Sequence, residues 1–232
     1  MVLVLNFFLN DAFAATFDQV IREQLESTGV TLDFVRVRGA QEVENLLNSL
    51  SDYTHVILSG SEASPMEDYG WETPMADVLT HCQEQRKPVL GICYGHQLLV
   101  RLLAGKEYLR VAPKPEFGWA NVQLKANPLF EGLKDPVFVL SHYDEALALP
   151  SDFTLLAESE RCPVHAFQYG QLPIWGVQFH PEYDLASSQE IFEVLQTKDP
   201  LFKERFIDEL EDEHRFRQNR RLFENFINQS TT

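Results

Sequence analysis

Short apolar runs alternate with amphipathic stretches through the first half of the chain. The runs predict buried strands at residues 2–9, 32–37, 55–59 and 88–92. Apolar residues at helical spacing predict the intervening helices, marked by Phe13, Phe17, Val20, Ile21 and Leu25, by Val43, Leu46 and Leu47, by residues 76–84, and by Leu98, Leu99, Leu102 and Leu103. Strands separated by helices pair in parallel through right-handed crossovers. The pattern therefore predicts an α/β fold with a doubly wound, mostly parallel sheet flanked by helices.

The second half has a different rhythm, in which strand-like segments follow one another with short turns between them. They lie at residues 121–125, 137–141, 154–157, 164–168 and 174–179, and we interpret them as hairpins and return strands of the same sheet. After Tyr183 the pattern becomes helical, with an apolar stripe broken at Asp199-Pro200 and continued by Phe206, Ile207 and Leu210 and then by Leu222, Phe223, Phe226 and Ile227. We predict one domain over residues 1–185 and a helical C-terminal extension, residues 186–232, packed on it.

Composition and charge exclude several classes of partner. Asp and Glu number 35 against 19 Lys and Arg, a net charge of −16 that repels phosphate backbones and anionic membranes. No apolar run is long enough to cross a bilayer, and residues 2–9 fit a buried strand better than a signal peptide because no basic segment precedes them. The three cysteines do not make a paired disulfide framework. We expect a cytoplasmic protein that binds neither nucleic acid nor membrane.

The strongest chemical signal is the segment Gly91-Ile92-Cys93-Tyr94-Gly95, where a buried strand runs into a helix. It has the G-x-nucleophile-x-G pattern of an elbow, a sharp turn that holds the nucleophile at the carboxyl edge of the sheet and leaves no room for flanking side chains. The amino end of the following helix favours the thiolate of Cys93, and the N–H of Tyr94 is free to stabilise an oxyanion. The alternative explanation of Cys93 is a small buried residue, which is how we interpret Cys82 and Cys162.

A thiolate nucleophile needs a base, and the base needs an orienting group. The strand at residues 174–179 stops at His180-Pro181-Glu182, where the proline fixes the backbone between an imidazole and a carboxylate. Together with the elbow, this segment predicts a triad of Cys93, His180 and Glu182. The other histidines show no zinc-ligand spacing, and the chain has neither GxGxxG nor GxxxxGK, so we expect no metal and no cofactor.

These residues resemble the class I (triad) glutamine amidotransferases. GICYGHQLL is similar to the nucleophile motif of that family, and GVQFHPE is similar to its His/Glu motif. The segments Ser141-His142-Tyr143-Asp144 and Glu116-Phe117-Gly118-Trp119 are similar to motifs of the GMP synthase-type amidotransferase domains and their stand-alone relatives. The resemblance covers the chain from about the first strand to Tyr183 and implies the flavodoxin-like sheet of the family.

The resemblance also implies a chemistry and a set of roles. Cys93 would attack the γ-carboxamide of glutamine or of another γ-glutamyl compound to give a glutamyl thioester, with His180 as acid and base. Gly60, after the third strand, would supply a second oxyanion N–H beside that of Tyr94. Gln97 would contact the glutamyl group, and Ser141 and His142 would lie on the segment that holds its α-amino acid end; a polar strand end is the alternative explanation of residues 141–144.

Three functions remain open from the sequence. In the first, the protein hydrolyses glutamine and passes ammonia to a separate synthase subunit. In the second, it is an independent hydrolase of γ-glutamyl compounds. In the third, it is a non-catalytic binding or regulatory subunit, against which the complete triad argues. About fifty residues follow the second motif, too few for a synthase domain, so we expect a stand-alone unit.

Overall fold

The computed structural model describes residues 1–229, so residues 230–232 of the predicted extension lie outside it. A seven-stranded sheet forms its centre, in the order β2-β1-β3-β4-β9-β8-β7. The first five strands in this order are parallel, and β8 and β7 are antiparallel. Their bounds are β1 Val2–Asn6, β2 Leu32–Arg36, β3 His55–Leu58, β4 Val89–Ile92, β7 Phe153–Ala157, β8 Ala166–Tyr169 and β9 Ile174–Val177. The predicted α/β fold with a mostly parallel sheet is confirmed.

Helices cover both faces of this sheet. They are α1 Asp11–Leu25, α2 Ala40–Glu44, α3 Glu72–Glu84, α4 Tyr94–Leu103, α5 Leu185–Lys198, α6 Phe202–Arg205, α7 Glu213–Arg217 and α8 Arg220–Ile227. Side chains alternate along a strand, and in β1 Val2 and Val4 share an apolar cluster with α1 and α8, whereas Leu3 and Leu5 share one with α2, α3 and α4. Among the helices of residues 1–229, none is long and apolar enough to cross a membrane.

A second sheet of three strands, in the order β10-β5-β6, stands beside the first. Its strands are β5 Leu109–Asn121, β6 Val137–Ala146 and β10 Phe206–Asp208. The prediction that every strand of the second half joins the main sheet is therefore wrong for residues 137–141. A separate strand at residues 121–125 is also wrong, because the long strand ends at Asn121. Its sequence hides it, since two prolines fall at the irregular pairing between Val111 and Glu116, and proline cannot donate to a ladder.

The chain after Tyr183 is only partly helical. Its apolar side chains, among them Phe192, Phe202 and Phe216, form a cluster with β5 and β6. The predicted helical stripe through Phe206 and Ile207 is wrong, because these residues form β10 and pair in parallel with β5. The pairing needs Gly118, which has φ 121°, and any side chain there would overlap the carbonyl of Ile207.

Candidate active site

Cys93 stands at the junction of β4 and α4, in a backbone conformation that L-residues seldom adopt. Its φ is 50° and its ψ −101°, and its N–H donates to the carbonyl of Val177 on β9 (2.8 Å). The turn that this conformation makes places the sulfur at the carboxyl edge of the parallel strands. Strained backbone at such a place is typical of a functional site.

The two flanking glycines are required by close backbone contacts. A Cβ on Gly91 would lie 2.5 Å from the carbonyl oxygen of Gly95, and a Cβ on Gly95 would lie 2.5 Å from that of Leu58. Neither neighbour is a flexible side-chain end that moves away easily. The G-x-Cys-x-G pattern therefore records a helix start packed directly on β3 and β4.

His180 and Glu182 follow β9 and are both buried. His180 Nδ1 and Glu182 Oε1 are 2.7 Å apart, and the N–H of His180 donates to the carbonyl of Val139 on β6 (2.8 Å). Gln24 on α1 donates to the main-chain oxygen of Glu182 (2.8 Å). The imidazole is thus held between the two sheets, with its far nitrogen left for another partner.

The charges around His180 favour its protonated form. Burial alone lowers the pKa of His180, but the carboxylate of Glu182 and the charge and hydrogen bond of Cys93 outweigh burial and raise it. An imidazolium at this place stabilises a thiolate on Cys93. The pair has the electrostatics of an activated thiol nucleophile.

Gly60 lies beside both groups. A Cβ added to it would be 3.1 Å from Cε1 of His180 and 3.8 Å from Cβ of Cys93. Tyr94 is the first residue of α4, where main-chain N–H groups have no partner within the helix. Its side chain points into the core and its hydroxyl accepts from the indole of Trp71 (2.9 Å), so only its main chain faces Cys93.

The predicted substrate-contacting residues also line the same cavity, but their polar atoms already have protein partners. Gln97 Nε2 donates to the carbonyl of Asp144 (2.8 Å) and to Gln178 Oε1 (3.0 Å). Ser141 approaches Cys93 with its main-chain oxygen, 3.7 Å from Sγ. His142 is 3% exposed, with Nε2 3.1 Å from Glu116 Oε2 and Nδ1 3.1 Å from the carbonyl of Asp144.

Sequence reasoning gave no role to Glu116, which lies at the centre of a buried polar cluster behind His142. Its Oε2 also lies 3.5 Å from Nε2 of His165. One ligand-type atom from each of Glu116, His165 and Cys162 falls within 4.8 Å of the others, so these residues have the donor types a metal would use. Contacts with the two histidines already satisfy the carboxylate, and burial raises the pKa of the Cys162 thiol. A charged residue within an apolar strand was the only signal of this cluster.

Cys93 opens into a cavity of about 490 Å³. Around the sulfur its walls are polar. On the side away from the sulfur they come from the start of α1 and from one face of α5. The ring of Tyr183 closes it below, with its centre 5.2 Å from that of His180. The space is in the range that small-molecule sites occupy.

Comparison with known proteins agrees with this site. The family profile described as Glutamine amidotransferase class-I matches residues 10–195. The chain is 43% identical over 107 residues to one of the subunits of a GMP synthase [glutamine-hydrolyzing] from Pyrococcus furiosus, covering 45% of this chain and 56% of that protein. It is 35% identical over 171 residues to a GMP synthase [glutamine-hydrolyzing] of Thermosipho africanus, covering 73% and 31%. The chain thus spans about half the length of the first relative and a third of the second.

One solved structure shows how far the fold is shared. A glutamine amidotransferase from Methylobacillus flagellatus superposes with a TM-score of 0.73 at 18% identity, over 97% of this chain and 93% of that one. At that identity the likeness concerns the fold alone. The likeness therefore extends over α5 and the tail as well as the sheet.

Proposed function

Because the chain belongs to the class I glutamine amidotransferase family, we propose that it hydrolyses the γ-amide of glutamine through Cys93, His180 and Glu182. The observation that carries the proposal is the strained elbow of Cys93 beside a buried His180–Glu182 pair. A structural role for Cys93 would not require positive φ, two contact glycines and an imidazolium neighbour. The same arrangement argues against a non-catalytic subunit.

The reaction follows from the positions of these groups. The Cys93 thiolate attacks the γ-carbonyl carbon, forming a C–S bond and a tetrahedral oxyanion. When the C–N bond breaks, His180 gives its proton to the nitrogen, and ammonia leaves. Water then loses a proton to His180 and adds to the thioester, the C–S bond breaks, and glutamate is released.

Two main-chain groups are proposed to hold the oxyanion, the N–H of Tyr94 and that of Gly60. Both belong to peptides next to Cys93, and the Tyr94 group lies at the positive end of the α4 dipole. Glu182 is proposed to hold the tautomer and orientation of His180 and to stabilise its charged form. Neither step needs a metal ion or cofactor to balance it.

Gln97, Ser141 and His142 are proposed to shape the glutamyl end of the site. His142 has both ring nitrogens engaged, so we assign it a positioning role in which Glu116 fixes the segment of β6 that carries Ser141. Gln97 keeps its side-chain oxygen for the substrate while its nitrogen is tied to the protein.

The destination of the ammonia is also a proposal. Similarity to a GMP synthase that is built from more than one kind of subunit supports a separate synthase as the acceptor. Residues 1–185 would then be the amidotransferase domain, with residues 186–232 as its C-terminal extension. The family profile reaches residue 195, which assigns the first part of the extension to the common fold.

The test is release of glutamate and ammonia from glutamine by the purified chain, beside Cys93→Ala and the matched control Cys82→Ala, a buried cysteine of α3. We expect Cys93→Ala to lose about 10³-fold or more in rate and Cys82→Ala to retain activity. A chloroketone analogue of glutamine should alkylate Cys93, seen by mass spectrometry, even where turnover waits for a synthase. Equal activity of Cys93→Ala, or labelling elsewhere, would refute the proposal.

A further inference from the structure

The cavity at Cys93 has more room than glutamine requires. Volumes of about 300–1,000 Å³ hold drug-sized ligands, and this cavity has about 490 Å³. Its polar end, with Cys93, Gln97, Asp144 and His180, accounts for a glutamyl group under attack. The rest of the space lies on the far side of the sulfur, where the group leaving the γ-carbonyl would project.

That far side is apolar. We call it the α1–α5 wall, formed by Phe13, Ile191, Val194 and Leu195. On α5 these residues and Lys198 fall at spacings of three and four, so they share one helix face. All four are half-buried, and the wall lines a cavity instead of closing against another element.

Core packing explains the wall only in part. Phe13, Ile191 and Leu195 each touch one of the apolar clusters of the protein, but Val194 belongs to none of them among residues 1–229. An apolar residue that faces only a cavity gains stability when an apolar ligand covers it. At the outer end of the wall, Lys198 Nζ stands 5.7 Å from the centre of the Phe13 ring.

The charged groups of the cavity limit the chemistry of that ligand. Three carboxylates line it, those of Glu62, Asp144 and Glu190, against the single lysine Lys198. Glu62 accepts from the N–H of Leu9 (2.9 Å) and is held at the start of α1. A leaving group with its own carboxylate, such as an amino acid, would meet mostly like charge.

We propose that the site also cleaves γ-glutamyl amides of apolar amines, with the α1–α5 wall binding the leaving amine. This rests on the proposed function, since it uses the same thioester chemistry. The thiolate of Cys93 adds to the γ-carbonyl carbon, the C–N bond breaks as His180 gives its proton to the amine nitrogen, and the free amine leaves along the wall. Water then hydrolyses the thioester to glutamate.

The first test is a substrate series in which only the leaving amine changes. We expect kcat/KM for γ-glutamyl benzylamide to exceed that for γ-glutamyl methylamide by about tenfold or more, because each methylene in an apolar pocket is worth about 10-fold or more. γ-Glutamylglycine should be cleaved more slowly than the methylamide. A benzylamide cleaved no faster than the methylamide would overturn the proposal, and this is also the result expected if the wall serves to dock a partner synthase.

The second test locates the preference. Val194→Asp should reduce the benzylamide to methylamide ratio of kcat/KM about tenfold, whereas Val111→Asp, at a valine of β5 that is 65% exposed, should leave it unchanged. An unchanged ratio in Val194→Asp would overturn the role of the wall. If glutamine and both amides were untouched and the chloroketone left Cys93 unlabelled, the proposed function itself would fall, a result distinct from the loss of the preference alone.

Discussion

The backbone of Cys93 predicts an unusual order of stability between two variants of the same residue. A non-glycine residue in such a sparsely populated conformation costs about 1–3 kcal/mol, and Cys93 sits at φ 50° and ψ −101°. Cys93→Ala keeps a Cβ and therefore keeps this strain. Cys93→Gly removes it.

The expected magnitude follows from the difference between the two variants. Both lose the sulfur, which is buried with the rest of a side chain that is 5% exposed, so the lost packing largely cancels. Glycine then gains about 1–3 kcal/mol from relief of strain and loses about 0.5–1 kcal/mol through the greater freedom of the unfolded chain. Cys93→Gly should be the more stable by about 0.5–2 kcal/mol, or a few degrees in Tm for a chain of this size.

Urea denaturation of both variants, followed by circular dichroism, measures the difference through the transition midpoints. The matched control is Ala14→Gly in the middle of α1, where ordinary helical backbone should make glycine the less stable residue by about 1 kcal/mol. If Cys93→Gly were also less stable than Cys93→Ala, the elbow would not be strained and the reasoning would be wrong.

Two further predictions concern buried carboxylates. Glu182→Gln should lower kcat by about 10²–10⁴ and move the acidic limb of the kcat/KM profile to higher pH, because the imidazolium of His180 loses the charge that raises its pKa; an unmoved limb would contradict this. For Glu116, burial raises the pKa but His142 outweighs it, so the pKa lies below its ordinary value of 4.5. The carboxylate therefore stabilises the fold above that value and loses this effect as the pH falls through the lowered pKa, so Glu116→Gln should flatten the urea midpoint between about pH 3 and 6, whereas an unchanged slope would contradict it.

The sequence predicted most of the main sheet and the local parts of the candidate site because their signals are short-range. The spacing of Gly91, Cys93 and Gly95 reflects contacts within one strand–helix junction and its neighbour β3. His180 and Glu182 are separated by one residue, so their relation is set by the local backbone. The buried strands β1, β3 and β4 carry continuous apolar runs, as parallel strands covered on both faces do.

What the sequence did not reveal depends on contacts between distant residues. Glu116 and His142 lie 26 residues apart, and nothing in either segment indicates that they meet. Phe206 and Ile207 have the apolar spacing of a helix and become a strand only because Gly118 on β5 leaves room for their backbone. Tertiary pairing decides such short segments over local preference.

The short strand β10 has a further consequence for anyone who would shorten the protein. β10 covers the outer edge of β5, and Glu209 extends the cover by bonding to the main chain of Trp119 and Asn121 (2.8 Å each). A chain cut before Phe206, for example to the residues that the family profile matches, would leave those main-chain groups open on a strand that carries Phe117 and Trp119. Open apolar edges recruit strands from other molecules. The tail therefore protects the protein from aggregation, and removing it would give a protein that associates edge to edge.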